Sequence, residues 1–262
     1  MSHFDVTRMH YVGTDMLTRF VENTVDAMND KTYELYLQYH LAICERDDLG
    51  GATNHMLDIF RKEWYIMVQP IIDISSTVLT TDHLILRPFC EKDLNDFYMY
   101  ASVPGVGELA GWPHHTSIEV SQRILNSFIE EKEVFALVHK ATGKVIGSLG
   151  IHAGNDEVNT PRVREIGYVL SREFWGQGLM PEAVHEVIRY CFEDVGLEAL
   201  TVGHFVSNTQ SRRVIEKCGF RYLKNKQYHA DQLSGQMLDE CFYILTHEKW
   251  CLQKESIHKV GC

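Results

Sequence analysis

A chain of 262 residues, 45% of them apolar, is long enough to bury a substantial core, and its net charge of −11 with no cluster of Lys and Arg argues against a general nucleic-acid binder. An acidic surface suits a cationic partner better, such as a basic peptide tail or a polyamine. Seven widely separated cysteines without a Cys-x-x-Cys pair indicate neither a disulfide framework nor a zinc site, and no apolar run approaches a membrane span, so a cytoplasmic protein without membrane or metal partners is expected.

Residues 1–63 differ in character from the rest of the chain. A strand-like stretch over 4–11 leads to a helix with Leu17, Phe20, Val21, Val25 and Met28 on one stripe. A second helix carries Tyr33, Tyr36, Leu37, His40, Leu41 and Cys44 and ends near Gly50 and Gly51. Residues 64–79, an apolar run followed by Asp73 and Ser75, Ser76 and Thr77, mark a linker. The spacing then predicts a strand over 84–89, a helix over 91–101 and a Gly-rich loop over 104–115 carrying Trp112, His114 and His115. A helix follows over 117–131 with Thr116 or Ser117 as its cap, then a hairpin of 134–138 and 145–151 around Thr142 and Gly143. Past a polar loop at 155–161 come a strand over 166–170, a strand over 199–205, a helix over 208–217 closed by Gly219, and a final strand over 239–246. The tail, 251–262, has no periodicity and is expected to be disordered. Strands and helices mixed in this way predict an α/β fold.

The chain is organised around residues 164–183. An apolar strand there meets Trp175-Gly176-Gln177-Gly178-Leu179-Met180, and Pro181 then opens a helix with Val184, Val187, Ile188, Cys191, Phe192 and Val195 at helical spacing. A helix start preceded by glycines presents free backbone N–H groups, which attract phosphate with help from the helix dipole. Neither GxGxxG nor GxxxxGK[ST] is present, so dinucleotide and ATP sites are poorly supported.

Trp175-x-x-Gly178-x-Met180 resembles the pyrophosphate loop of the GNAT acyl-CoA N-acyltransferases, in the Trp-Gly-x-Gly form of the Rim-type ribosomal-protein N-terminal acetyltransferases. Asn208-x-x-Ser211, followed by Val214, Glu216, Lys217, Gly219 and Phe220, resembles that subgroup's second motif. The runs LILRPF, GKVIGSLG, EIGY, WGQG and EKCGF occur in the family's order, so the resemblance spans about 80–250. Trp175 stands where the family usually has Gln or Arg, and Pro181 where it often has Thr or Ser.

The resemblance implies a mixed, mostly antiparallel sheet flanked by helices over 80–250, with 1–63 a small, mainly helical appendage and 251–262 a tail. It implies acetyl-CoA as co-substrate, with Tyr168 and Leu170 on the strand that meets the pantetheine arm. Trp175, Gly176, Gln177, Gly178, Leu179 and Met180 would hold the pyrophosphate, and Asn208 the pantetheine. It makes Ser211 the candidate general acid, although a serine in a first helical turn is as readily a cap. Glu165 is the closest candidate base, ahead of His204 and His229, although Glu165 reads equally as a solvated strand residue and His204, among apolar neighbours, reads rather as a core histidine. Trp112, His114 and His115 are expected to contact the acceptor; without a third ligand the two histidines do not form a metal site.

The expected activity is transfer of an acetyl group to a primary amine, a protein N-terminus (a ribosomal protein's among them) or a small molecule. Direct attack in a ternary complex is expected because no Cys-His or Ser-His-Asp set is discernible. Residues 39–62 resemble the C-terminal end of class I S-adenosylmethionine methyltransferases, without the Gly-rich cofactor segment, and are expected to pack on the transferase domain or to mediate oligomerisation, as in a homodimer. Two other readings compete: an acyl-CoA-binding sensor without turnover, and a methyltransferase-related binding module.

Overall fold

The computed structural model describes residues 7–14, 55–61, 70–154, 158, 160 and 162–260. The chain divides into two compact units, Met1–Ile66 and Met67–Cys262. In the first, the described residues form an antiparallel pair, β1 (Thr7–Thr14) against β2 (His55–Arg61), whose register shifts between Arg8 and His10. β1 begins three residues later than the strand expected over 4–11. β2 lies past the second expected helix, in a part of the mainly helical appendage for which no element was expected; its Ile59 and Phe60 have good strand propensity. The two helices expected around Leu17 and Tyr36 lie outside the described residues.

The second unit is an α/β layer structure built on one eight-stranded sheet. Its strands are β3 (Leu79–Thr80), β4 (Leu84–Pro88), β5 (Val134–His139), β6 (Val145–Ala153), β7 (Val163–Leu170), β8 (Ala199–Phe205), β9 (Arg221–Ala230) and β10 (Gln236–Thr246). They are ordered β3-β4-β5-β6-β7-β8-β10-β9, and every pairing is antiparallel except β7 with β8. The helices are α1 (Leu94–Ala101), α2 (Ile118–Glu131), α3 (Leu179–Arg189), α4 (Thr209–Lys217) and α5 (His247–Val260).

Alternation along the central strands sends side chains to two cores. On one face Leu84, Leu86, Phe135, Leu137, Leu149, Ile151 and Ile166 meet Ala183, Val184, Val187 and Ile188 of α3. On the other, Val134, Ala136 and Val138 meet Phe97, Tyr100 and Ala101 of α1 and Leu125 of α2. Because β5 and β6 are covered on both faces, they read in sequence as nearly continuous apolar runs rather than as alternating ones.

Four elements differ from expectation. Residues 70–78, read as a linker, seat Ile72 and Ile74 in the α3-side core, with the Ile74 N–H donating to the Lys132 carbonyl. β9 was not anticipated: it is one edge strand of the sheet, exposed along most of its length and carrying Arg221, Lys224, Asn225 and Lys226, so no alternation betrays it. The tail is helical as far as Val260, and Trp250 docks it by packing on Phe192 and His247. The central helix starts two residues before Pro181, at Leu179, and finishes in a π-turn, Tyr190–Asp194, where the Val195 N–H donates to the Tyr190 carbonyl. Pro181 is therefore the third helical residue, still within the first turn, where an absent N–H breaks no intrahelical bond.

Candidate active site

The site begins where two neighbouring strands part. β7 and β8 pair only through Val163–Ala199, Arg164–Leu200 and Glu165–Thr201. Beyond these, β7 continues on β6 as far as Leu170, and β8 continues on β10 as far as Phe205. A cavity of about 940 Å³ opens between the parted ends. Its walls include Ile166 to Leu170 of β7, Val202 to Phe205 of β8, and the start of α3.

At one end lies the loop joining β7 to α3. Gly176 and Gly178 both adopt left-handed backbone, at φ +77° and +82°, and a Cβ at either would meet nothing within 4 Å. The loop therefore needs glycine for its conformation, and the space above it is open. Gly178 caps α3, so the amides of Leu179 and Met180 have no intrahelical partners, and both residues line the cavity. These features fit a diphosphate, with Pro181 contributing no donor. The helix start is anchored from outside: Glu182 accepts from the His83 N–H at 2.8 Å and from the Thr81 hydroxyl, and a carboxylate in the first turn also suits the helix dipole. The Trp175 indole N–H donates to the Leu170 carbonyl at 2.8 Å, fixing the loop to the strand end. The Gln177 side chain turns away and donates to the Glu173 carbonyl, so only its backbone belongs to the cradle.

The second group stands at the start of α4. Asn208 caps the helix, its Oδ1 accepting from the Ser211 N–H at 3.1 Å, while its Nδ2 donates to the Leu109 carbonyl at 3.1 Å. Capping thus falls to Asn208, which leaves the Ser211 hydroxyl for other work. That hydroxyl lies 2.9 Å from the Tyr168 phenol oxygen. Burial pushes the Tyr168 phenol well above its usual range, keeping it protonated and able to donate. Tyr168, Asn208 and Ser211, from β7 and α4, all line the cavity.

The third group is the loop between α1 and α2, and Glu108 organises it. Its carboxylate accepts from the Gly105 N–H at 2.7 Å and the His114 N–H at 3.2 Å, and meets His114 Nδ1 at 2.7 Å. Partial burial works to raise the Glu108 pKa, but the His114 ring and the backbone donors outweigh it and hold the group at about 2. Of the three residues expected to meet an acceptor, Trp112 and His115 line the cavity and His114 does not. His114 is spent on Glu108. His115 is buried, bonded through Nδ1 to the Ser121 hydroxyl at 2.7 Å and set edge-on to Phe97, and burial lowers its pKa, so its ring is neutral at neutral pH.

Glu165 lines the cavity at the point where the strands part. His204 is buried, with Nδ1 on the Phe205 carbonyl at 2.8 Å and Nε2 3.2 Å from the Tyr243 hydroxyl, as a structural histidine would be. His229 is on the exposed strand β9 and does not line the cavity. Three residues of the site were not singled out in the sequence: Glu108, His152 and Glu240. For the last two the available signal was glycine in mid-strand, at Gly150 and Gly203, which marks a close approach by another group. Among the described residues no group of three His, Cys, Asp or Glu side chains is arranged to hold a metal ion, and no helix is long and apolar enough to cross a membrane.

Comparison with known proteins agrees with this geometry. Residues 83–221, more than half of the chain, match the family model described as the acetyltransferase (GNAT) domain. The chain is 29% identical over 149 residues to the uncharacterized N-acetyltransferase YoaA of Bacillus subtilis, covering 55% of this chain and 82% of that protein. It is 28% identical over 177 residues to the uncharacterized N-acetyltransferase p20 of Bacillus licheniformis, covering 66% and 97%. Among solved structures, the ribosomal-protein-S5-alanine acetyltransferase of Vibrio fischeri shares the fold with a TM-score of 0.54 at 20% identity, over 66% of this chain and 98% of that one. A glycine-turned helix start beside two parted strands, within a sheet of this order, is thus found in a chain that belongs to the GNAT family of acetyltransferases.

Proposed function

We propose that this protein transfers the acetyl group of acetyl-CoA to a primary amine by direct attack within a ternary complex. The observation that carries the reading is the parting of β7 and β8 beyond Glu165 and Thr201, with one cavity running from the Gly176–Gly178 turn to the α1–α2 loop. Such a cavity admits a donor from one end and an acceptor from the other.

In this reading the amides around Gly176 to Met180 hold the diphosphate of the co-substrate. The exposed edge of β7 near Tyr168 pairs with the amides of its arm, as an added strand would. Asn208 keeps a second N–H on Nδ2 beyond the one given to Leu109, and this donor faces the same arm. Glu165 takes a proton from the acceptor amine. The neutral nitrogen then bonds to the thioester carbon, the carbon–sulfur bond breaks, the Ser211 hydroxyl gives its proton to the departing sulfur, and Ser211 regains one from the second N–H of the nitrogen through water. Tyr168, 2.9 Å from the Ser211 hydroxyl, holds it in place. No acyl-enzyme is invoked, because among the described residues no Ser-His-Asp or Cys-His arrangement lines the cavity.

A ribosomal-protein N-terminus is one acceptor of the right chemistry, and small-molecule amines are another. Coenzyme A titration run beside a thiol-release assay, with purified protein and a panel of amines, tests the proposal. Binding accompanied by amine-dependent thiol release is expected. Binding without release for any amine would make the protein a sensor, and no binding would remove the proposal altogether.

A further inference from the structure

Three mid-strand glycines share the sheet face that carries α1 and α2. Gly150 of β6 is paired with Gly167 of β7, and Gly203 of β8 stands two residues past the last β7–β8 pair, as Gly167 does. Their face follows from alternation: Val169 of β7 packs with the α1–α2 core, while Leu200 and Val202 of β8 belong to the opposite one. Glycine weakens a strand, so three together call for a reason. Their neighbours supply it. A Cβ at Gly150 would run into the His152 ring, one at Gly167 would lie 3.4 Å from the same ring, and one at Gly203 would collide with the Glu240 carboxylate. The three glycines leave room on this face for the His152 ring and the Glu240 carboxylate, and His152, Glu165 and Glu240 line the same cavity.

Glu240 is the unusual member. It is 7% exposed, on β10 opposite Phe205, and its buried Oε2 faces the Lys226 ammonium. Its ion-pair partner, the Lys226 ammonium at 3.2 Å, also sits over the Phe242 ring at 4.1 Å. An ionised carboxylate offers about four acceptor positions, so pairing with Lys226 leaves room for a second cationic donor. Lys226 shows that this carboxylate takes an alkylammonium on Oε2, and its Oε1 lies against Gly203, another residue of the cavity wall.

We propose that Glu240 receives the acceptor: its carboxylate accepts hydrogen bonds from the ammonium of an amine held in the cavity, which selects acceptors that arrive as cations. Proton removal stays with Glu165, and Glu240 binds and aims. The inference rests on the acetyltransferase reading above. An acidic chain, at net charge −11, steers such acceptors toward the site.

The test uses the full-length protein loaded with coenzyme A, and three probes: n-butylamine, spermidine and a basic tripeptide with a free N-terminus. Binding is read by saturation-transfer NMR, apart from turnover. Glu240→Gln keeps the shape of the side chain, and Gly203→Ala displaces the carboxylate without removing it. For any probe the unaltered protein binds, both variants are expected to weaken binding by about tenfold or more, with coenzyme A affinity unchanged within about twofold. Equal amine binding by both variants, or no binding of any probe by the unaltered protein, overturns the assignment to Glu240 and leaves the transferase reading standing. Failure of coenzyme A to bind the unaltered protein overturns that reading and this assignment with it.

Discussion

The Tyr168 phenol of β7 lies 2.9 Å from the Ser211 hydroxyl of α4, joining the strand that parts from its neighbour to the helix that faces the opening. Because Asn208 caps α4, the Ser211 hydroxyl is left to share a hydrogen bond with Tyr168 at the cavity wall. Ser211→Ala is expected to lower kcat by about 10²-fold, the smaller end of acid–base contributions, with KM for acetyl-CoA little changed. Tyr168→Phe should cost less, about tenfold, because the serine hydroxyl survives. Full turnover by Ser211→Ala at saturating substrate would take the serine out of the chemistry.

Gly178 and Gly143 have similar backbone and different surroundings. Their φ angles are +82° and +69°, and neither has an atom within 4 Å of a built Cβ, so alanine meets no clash at either and bears only the left-handed penalty of about 1–2 kcal/mol. Gly178→Ala and Gly143→Ala should therefore lower Tm alike. Only Gly178→Ala should raise KM for acetyl-CoA, since Gly143 sits in the β5–β6 turn. Thermal unfolding and initial-rate kinetics on the pair decide the point, and a KM raised equally in both would contradict the cradle.

Glu108 couples pH to the α1–α2 loop. Its carboxyl is held at about 2, below the ordinary value of 4.5, so the folded loop favours the ionised form. Its contribution is fully present above about pH 4.5 and is lost as pH falls toward 2. Trp112 in the same loop should report the loosening as a fluorescence change within that window, absent from Glu108→Gln. An identical acid transition in the variant would show that another group controls the loop.

Asn208 serves two elements with one carboxamide, capping α4 and holding the Leu109 carbonyl. Asn208→Ala should cost about 1 kcal/mol for the cap, a fall of about 3 °C in Tm for a chain of this size. Asn208→Asp keeps the cap acceptor and removes the donor. Stability should return in the aspartate variant while the raised KM for acetyl-CoA persists; recovery of both would assign Asn208 a purely structural role.

What could be read before folding was what depends on neighbours in the chain. Helix stripes, the Trp175 to Met180 turn and the Asn208–Ser211 pair are local patterns, and Ala199–Phe205 was expected with its observed limits because buried strands are marked by continuous apolar runs. β9 escaped notice because an exposed edge strand buries too little to impose alternation, and α5 because a few contacts such as Trp250 on Phe192 hold it, not an apolar stripe. His114 looked like a companion of His115, yet one turn of chain brings Glu108 to the first and burial claims the second.

The amino-acid order alone determined the mixed α/β character of the larger unit, the glycine-turned helix start and the family, since each rests on residues within a few positions of one another. Only the tertiary structure decided that β7 and β8 separate after Glu165, that Tyr168 reaches Ser211 across 43 positions, and that Glu240 comes to lie over Gly203. Those relationships join segments far apart in the chain, and strand order and register, set by burial on both faces of the sheet, are what bring them together.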